Sequence, residues 1–123
     1  MVKLATGVDL IDVERIESAV ELYGERFLRR IFTSRELTMT HGRPESLAAR
    51  FAAKEAVAKA LGVGIWKVSW LDVEVLSGAN RQPELHLHGS AAKFAAEQGL
   101  TQCAISLSHS QEFAIAMVTA IGN

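Results

Sequence analysis

The chain has 123 residues, 49 % of them hydrophobic and 22 % charged. That composition is ordinary for a globular protein and excludes disorder as the default reading. Thirteen Lys and Arg against fourteen Asp and Glu leave a net charge of -1, which disfavours a wholesale nucleic-acid binder. The single cysteine, Cys103, closes no intrachain disulfide. No signal-like start and no apolar run near 18 residues are present, so the expected location is the cytoplasm. With two prolines and no linker-like stretch, one domain over 1–123 is expected.

The opening run Leu4 to Val13 is apolar and β-rich, and reads as a strand buried on both faces. From Glu14 the period changes. Ile16, Ala19, Val20 and Tyr23 recur at helical spacing, with Gly24 as the stop. A short helix is expected over Arg26 to Phe32, and a third after the cap candidate Thr33-Ser34. The longest helix should run from Glu45 to Leu61, between first-turn Pro44 and terminal Gly62.

Strands follow over Leu71–Leu76 and Glu84–His88, turning at Gly78-Ala79-Asn80. Ser90 is the expected cap of a helix holding Ala91, Ala92, Phe94 and Ala95 and ending near Gly99. Two strands, Gln102–His109 and Phe113–Ile121, close the chain. The order implies an α+β fold with an antiparallel sheet packed around one long helix.

Four features break the local rules. Asp9 sits in an otherwise apolar strand, where a carboxylate needs a partner: a turn, an arginine such as Arg15, or a metal. In the long helix, Lys54 falls inside the arc of Leu47, Phe51, Ala58 and Leu61, with Arg50 one turn before it. Glu55 borders that arc, one turn before Lys59. These charges are either surface i,i+4 pairs or an inward site holding phosphates through a divalent metal.

Ser106-Leu107-Ser108-His109-Ser110 invites a nucleophile reading, yet alternation puts Ser108 and His109 on opposite faces. Phosphate donors or a strand-end cap remain. Between Gly24 and Arg43, five arginines against two glutamates give a local net of +3, interleaved with Phe27, Leu28, Ile31 and Phe32. This is either an acidic partner's docking surface or a solvated face over a local core. His86 and His88 share a strand face but lack a third ligand at metal spacing, so they read as surface histidines.

Four segments in order carry a family resemblance: Gly7-Val8-Asp9-Leu10 to Arg15-Ile16, Arg30-Ile31-Phe32-Thr33 to Glu36-Leu37, Arg50-Phe51-Ala52-Ala53-Lys54-Glu55-Ala56 to Lys59-Ala60-Leu61-Gly62, and Ser106-Leu107-Ser108-His109. The chain resembles the holo-acyl-carrier-protein synthases, the short bacterial 4'-phosphopantetheinyl transferases. The resemblance implies transfer of 4'-phosphopantetheine from coenzyme A to a serine of apo acyl carrier protein, in support of fatty acid biosynthesis. It implies Mg²⁺ held by Asp9 and Glu55, and coenzyme A phosphates near Arg50, Lys54, Lys59, Ser108 and His109. Glu55 and Lys59 take the catalytic roles, and Arg15, Arg26, Phe27 and Arg30 the grip on the carrier. A homotrimer with sites between subunits is implied too. The general base stays open among Glu55, a metal-bound water and a nearby Asp.

Overall fold

In the computed structural model, which describes residues 1–123, the chain runs β1 (Lys3–Asp12), α1 (Val13–Tyr23), α2 (Glu25–Ile31), α3 (Ser34–Thr40), α4 (Pro44–Ala60), β2 (Val73–Ser77), β3 (Pro83–Leu87), α5 (Gly89–Glu97), β4 (Gln102–His109) and β5 (Phe113–Gly122). The expected α+β class holds, but the antiparallel strands form two sheets. One has the order β1-β5-β4; the other is the β2-β3 hairpin.

Helix α4 lies across the three-stranded sheet, against β1, β5 and β4. Local signals set its ends. Pro44 occupies the first turn, where a missing N–H costs nothing. At the other end the Gly62 N–H bonds the Lys59 carbonyl and the Val63 N–H the Ala58 carbonyl, a Schellman closure with Gly62 left-handed at φ 71°. Between them, Ala49, Ala52, Ala53, Ala56 and Ala60 are buried and let the helix sit close to the sheet. The approach is tightest at Gly7, where a Cβ would stand 2.0 Å from the Ala56 carbonyl oxygen. Leu47, Val57, Phe32 and Val73 fill the core around this contact, each contributing about 1.5–3 kcal/mol by leaving water.

Thr33 is the α3 cap, and Glu36 returns its bond in a capping box. Three expectations are corrected. Residues Trp70–Asp72 form a 3-10 turn, so the strand begins at Val73 and not at Leu71. Ser90 is not the α5 cap: the Asp72 carboxylate accepts from its backbone N–H at 2.8 Å and its hydroxyl at 2.7 Å. Asp72 thus serves as a cap from outside the helix, which holds it out of the strand.

The third correction concerns β1, which is buried on one face only. Leu4, Val8 and Leu10 point outward, and Leu10 is 62 % exposed. They pair across the ladder with Ile121, Met117 and Ile115, all exposed as well. Ser106 and Ser108 of β4 stand in the same outer rows, opposite Met117 and Ile115. The sheet therefore carries one face on α4 and a second apolar face uncovered in the isolated chain.

The hairpin turn is also unusual. Asn80 and Arg81 both have positive φ, 56° and 60°, and the Gln82 N–H bonds the Ala79 carbonyl. This is the type I′ pattern, which favours Gly at its second central position. Here an arginine holds it, at about 1 kcal/mol of backbone strain.

Candidate active site

The odd-numbered residues of β2 face away from β3, and no strand pairs with that edge. Side chains seal it instead. Glu36 accepts from the Val75 N–H at 2.9 Å, Arg50 Nε donates to the Val75 carbonyl at 3.0 Å, and Lys54 Nζ donates to the Val73 carbonyl. Lys54 donates further to the Trp70 carbonyl at 2.9 Å and to Glu36 Oε1 at 2.8 Å. Each buried charge along this edge has its partner, as burial demands.

Lys54 is fully buried and all three ammonium protons are spent. Burial pulls its pKa down, and the Glu36 charge opposes that shift. The expectation that Lys54 meets a coenzyme phosphate is therefore corrected. It is an interior cation that ties α4 to α3 and β2. Its side chain has no surface open to solvent.

On the opposite side of α4 the charges are open to solvent. Lys59 Nζ donates to the Val8 carbonyl at 2.9 Å and to Asp9 Oδ1 at 3.1 Å. Asp9 lies on the inner face of β1, in the same row as Gly7 and Ile11, so the strand aims it at α4. Glu55, one helical turn before Lys59, has its pKa raised first by burial and then by the Asp9 charge; Lys59 and Arg15 pull it back. Two carboxylates, a lysine and an arginine thus converge where α4 crosses β1. The surface-pair reading of Glu55 with Lys59 gives way, because the Lys59 ammonium turns to Asp9.

Arg50 is buried with its guanidinium toward Val75 and Ser77, on the β2 side of α4. The implied coenzyme residues are thus divided. Lys59 belongs to the β1 side, while Arg50 and His109 line a cavity on the other side with Ser46, Ser77, Arg81 and Leu107. Ser108 faces outward, so the alternation argument holds. Arg81, which the sequence reading did not single out, lines the same cavity from the hairpin turn.

Arg26, Phe27 and Arg30 line a groove of 540 Å³ together with Tyr23, Ile31, Phe51 and Trp70. Its floor is the Phe51–Trp70 stack, with centroids 4.8 Å apart. The cationic rim comes from α2, whose Ile31 is buried while Arg26, Arg29 and Arg30 stay out. Arg15 stands apart from this groove, close enough to Glu55 to act on its charge. His86 and His88 pair with Glu84 at 3.5 Å and Glu74 at 3.0 Å.

A small α+β protein with paired carboxylates and cations at one helix–strand crossing offers charges of the kind that phosphate-transfer chemistry uses. Comparison with known proteins narrows that class. Residues 5–118 match the 4'-phosphopantetheinyl transferase superfamily, and the chain belongs to it. It is 46 % identical to the holo-[acyl-carrier-protein] synthase of Herpetosiphon aurantiacus, covering 97 % of this chain and 99 % of that protein. The same-named protein of Carboxydothermus hydrogenoformans is 49 % identical over 92 % of this chain and 94 % of its own. In structure, the Helicobacter pylori holo-[acyl-carrier-protein] synthase in complex with coenzyme A superimposes with a TM-score of 0.85 at 31 % identity, covering 94 % of this chain and 98 % of that one.

Proposed function

We propose that this chain is a holo-acyl-carrier-protein synthase, moving 4'-phosphopantetheine from coenzyme A to a serine of apo acyl carrier protein. The observation that carries this reading is the meeting of Asp9, Glu55 and Lys59 at the α4–β1 crossing in a chain of this family. The serine oxygen attacks the β-phosphorus of the pyrophosphate and loses its proton. The bond from that phosphorus to the bridging oxygen breaks, releasing adenosine 3',5'-bisphosphate.

Asp9 and Glu55 suit a hard divalent ion, Mg²⁺, because each offers carboxylate oxygen and Glu55 is disfavoured as a lone charge. When bound, the ion supplies Lewis-acid neutralisation of the pyrophosphate. Lys59 is held beside Asp9 and supplies a further positive charge to the leaving phosphate. Arg15 adds to the same field.

The groove of Arg26, Phe27 and Arg30 suits the carrier. An acidic partner is steered by the arginines and anchored by apolar contact on Phe27 and the Phe51–Trp70 stack.

The uncovered face of β1 and β5 suits a second copy of the chain. Burying Leu4, Val8, Leu10, Ile115, Met117 and Ile121 removes six large apolar side chains from water. The family resemblance gives the number three. Division of the coenzyme residues across α4 favours a shared site, with Asp9, Glu55 and Lys59 from one subunit and Arg50, Ser108 and His109 from its neighbour.

The deciding experiment incubates the protein with apo carrier protein, coenzyme A and Mg²⁺, then weighs the carrier. Addition of one phosphopantetheine is expected. Nucleotide release without a heavier carrier would make it a hydrolase instead. Shared sites are tested by mixing Asp9→Asn with His109→Ala after subunit exchange. Hybrids should regain activity, and self-contained sites would regain none.

A further inference from the structure

Gly7 stands in the interior of β1, where a glycine weakens a strand by leaving its backbone loose and its face unfilled. Its conformation does not call for glycine. Five glycines of the chain have positive φ, and Gly7 is not among them. What position 7 lacks is room. A Cβ there would stand 2.0 Å from the Ala56 carbonyl oxygen, 2.9 Å from the Ala60 nitrogen and 3.0 Å from the Ala56 carbonyl carbon. All three are backbone atoms, which no change of rotamer moves aside.

The same turn of α4 carries the charged cluster. Glu55 precedes Ala56, and Lys59 precedes Ala60. Asp9 follows Gly7 on the inner row of β1, and its Oδ1 accepts from Lys59 Nζ at 3.1 Å. An aspartate has one methylene between backbone and carboxylate, so the distance between strand and helix sets its reach.

The strand cannot yield in place of the helix. β1 is laddered to β5 from Lys3 to Asp12, with Gly7 opposite the buried Val118. A methyl group at position 7 therefore acts on α4. Non-bonded heavy atoms settle about 3.5 Å apart, so the helix would retreat by about 1 Å. Working constellations tolerate displacements of only about 0.5 Å.

We infer that Gly7 is a positioning residue: its missing side chain sets the α4–β1 spacing at which Asp9 and Glu55 reach one divalent ion. The inference takes that ion from the transferase reading given above. It concerns spacing, which has a readout of its own.

The test titrates Mg²⁺ into each variant and reads the rise in Tm, which reports affinity for the folded protein. Gly7→Ala should bind Mg²⁺ about 10–100-fold more weakly than the wild type, as loss of ligand positioning does elsewhere. Asp9→Glu should also bind more weakly, because its longer arm overreaches the native gap. Combined, the two should bind more tightly than either alone, since the added methylene spans about 1.5 Å. A fold that is merely destabilised gives no such reversal. Gly122→Ala is the control: its Cβ would stand 1.6 Å from the Gly99 carbonyl oxygen, away from Asp9. It should lower Tm and keep the wild-type Mg²⁺ affinity.

Wild-type affinity in Gly7→Ala, a double variant no better than the singles, or an equal loss in Gly122→Ala would overturn the inference. So would a wild type without any Mg²⁺ response. Should Gly7→Ala fail to fold, Asp9→Glu is compared with Asp9→Glu/Glu55→Asp, which keeps the summed reach of the two carboxylates. A fixed spacing requires the first to lose affinity and the second to regain it; undiminished affinity in Asp9→Glu would refute it. Failure of the transferase reading shows separately, as a carrier that gains no mass while the Mg²⁺ series behaves as described.

Discussion

Lys54 and Glu55 are neighbours in the chain and opposites in environment. Lys54 is sealed among Glu36, the Trp70 carbonyl and the Val73 carbonyl, with no exposed surface. Glu55, rotated about 100° around α4, faces Asp9, Lys59 and Arg15 in a half-open cleft. One side of the helix spends its charges on architecture; the other leaves them incompletely matched. Surplus bonding capacity, and not charge as such, marks the side that can do chemistry. A helix that touches two sheets can do both jobs because 3.6 residues per turn separate adjacent positions so widely.

The comparison breaks most visibly at Glu55. Glu55→Gln should lower the transfer rate by about 10²–10³-fold with the fold intact, since it removes a ligand for the ion that neutralises the transition state. Carrier mass spectrometry against time measures the rate, and circular dichroism checks the fold. A tenfold effect or less would place the metal elsewhere.

Lys54→Met tests the other side. Removing one member of a buried pair strands Glu36, at a cost of about 3–5 kcal/mol. Denaturant titration reads the loss. Replacing both, as Glu36→Gln with Lys54→Met, should recover part of it. If Lys54→Met left stability unchanged and raised the KM for coenzyme A, its interior role would be wrong.

A milder effect is expected on α2. Arg30→Glu should raise the KM for carrier protein about tenfold and leave that for coenzyme A nearly unchanged. Parallel changes in both constants would merge the carrier groove with the coenzyme site.

The smallest effect is a pH dependence of stability. Burial and the Asp9 charge raise the Glu55 pKa, so the folded protein without metal holds that proton more tightly than the unfolded chain does. This contribution is complete below the ordinary glutamate range and is lost as pH rises through the raised value. Glu55→Gln should therefore raise Tm slightly at neutral pH and give no gain in acid. Added Mg²⁺ should reverse the order at neutral pH by stabilising the wild type alone. Thermal scans at several pH values, with and without Mg²⁺, would expose a failure of either sign.

Much of the site was legible in residue types. Asp9 in an apolar strand and Glu55–Lys59 on a helix announced themselves as misplaced charges, and they do converge. Lys54 gave the same signal for a different reason. A buried strand edge needs donors and acceptors as urgently as a phosphate does, and residue type alone does not separate the two needs.

The sequence by itself determined the elements: their order, the Pro44 and Gly62 ends of α4, the cap at Thr33 and the alternation that parts Ser108 from His109. Those are settled within a few residues by caps, dihedral preference and period. Only the tertiary structure decided what each charge is for. The partner of Lys54 lies 18 residues away and that of Lys59 lies 50 away. It also decided that the outer face of β1 is bare and that Asp72 caps α5. Desolvation and hydrogen bonding act through space, and the neighbours that set them are brought together only when the sheet closes on α4.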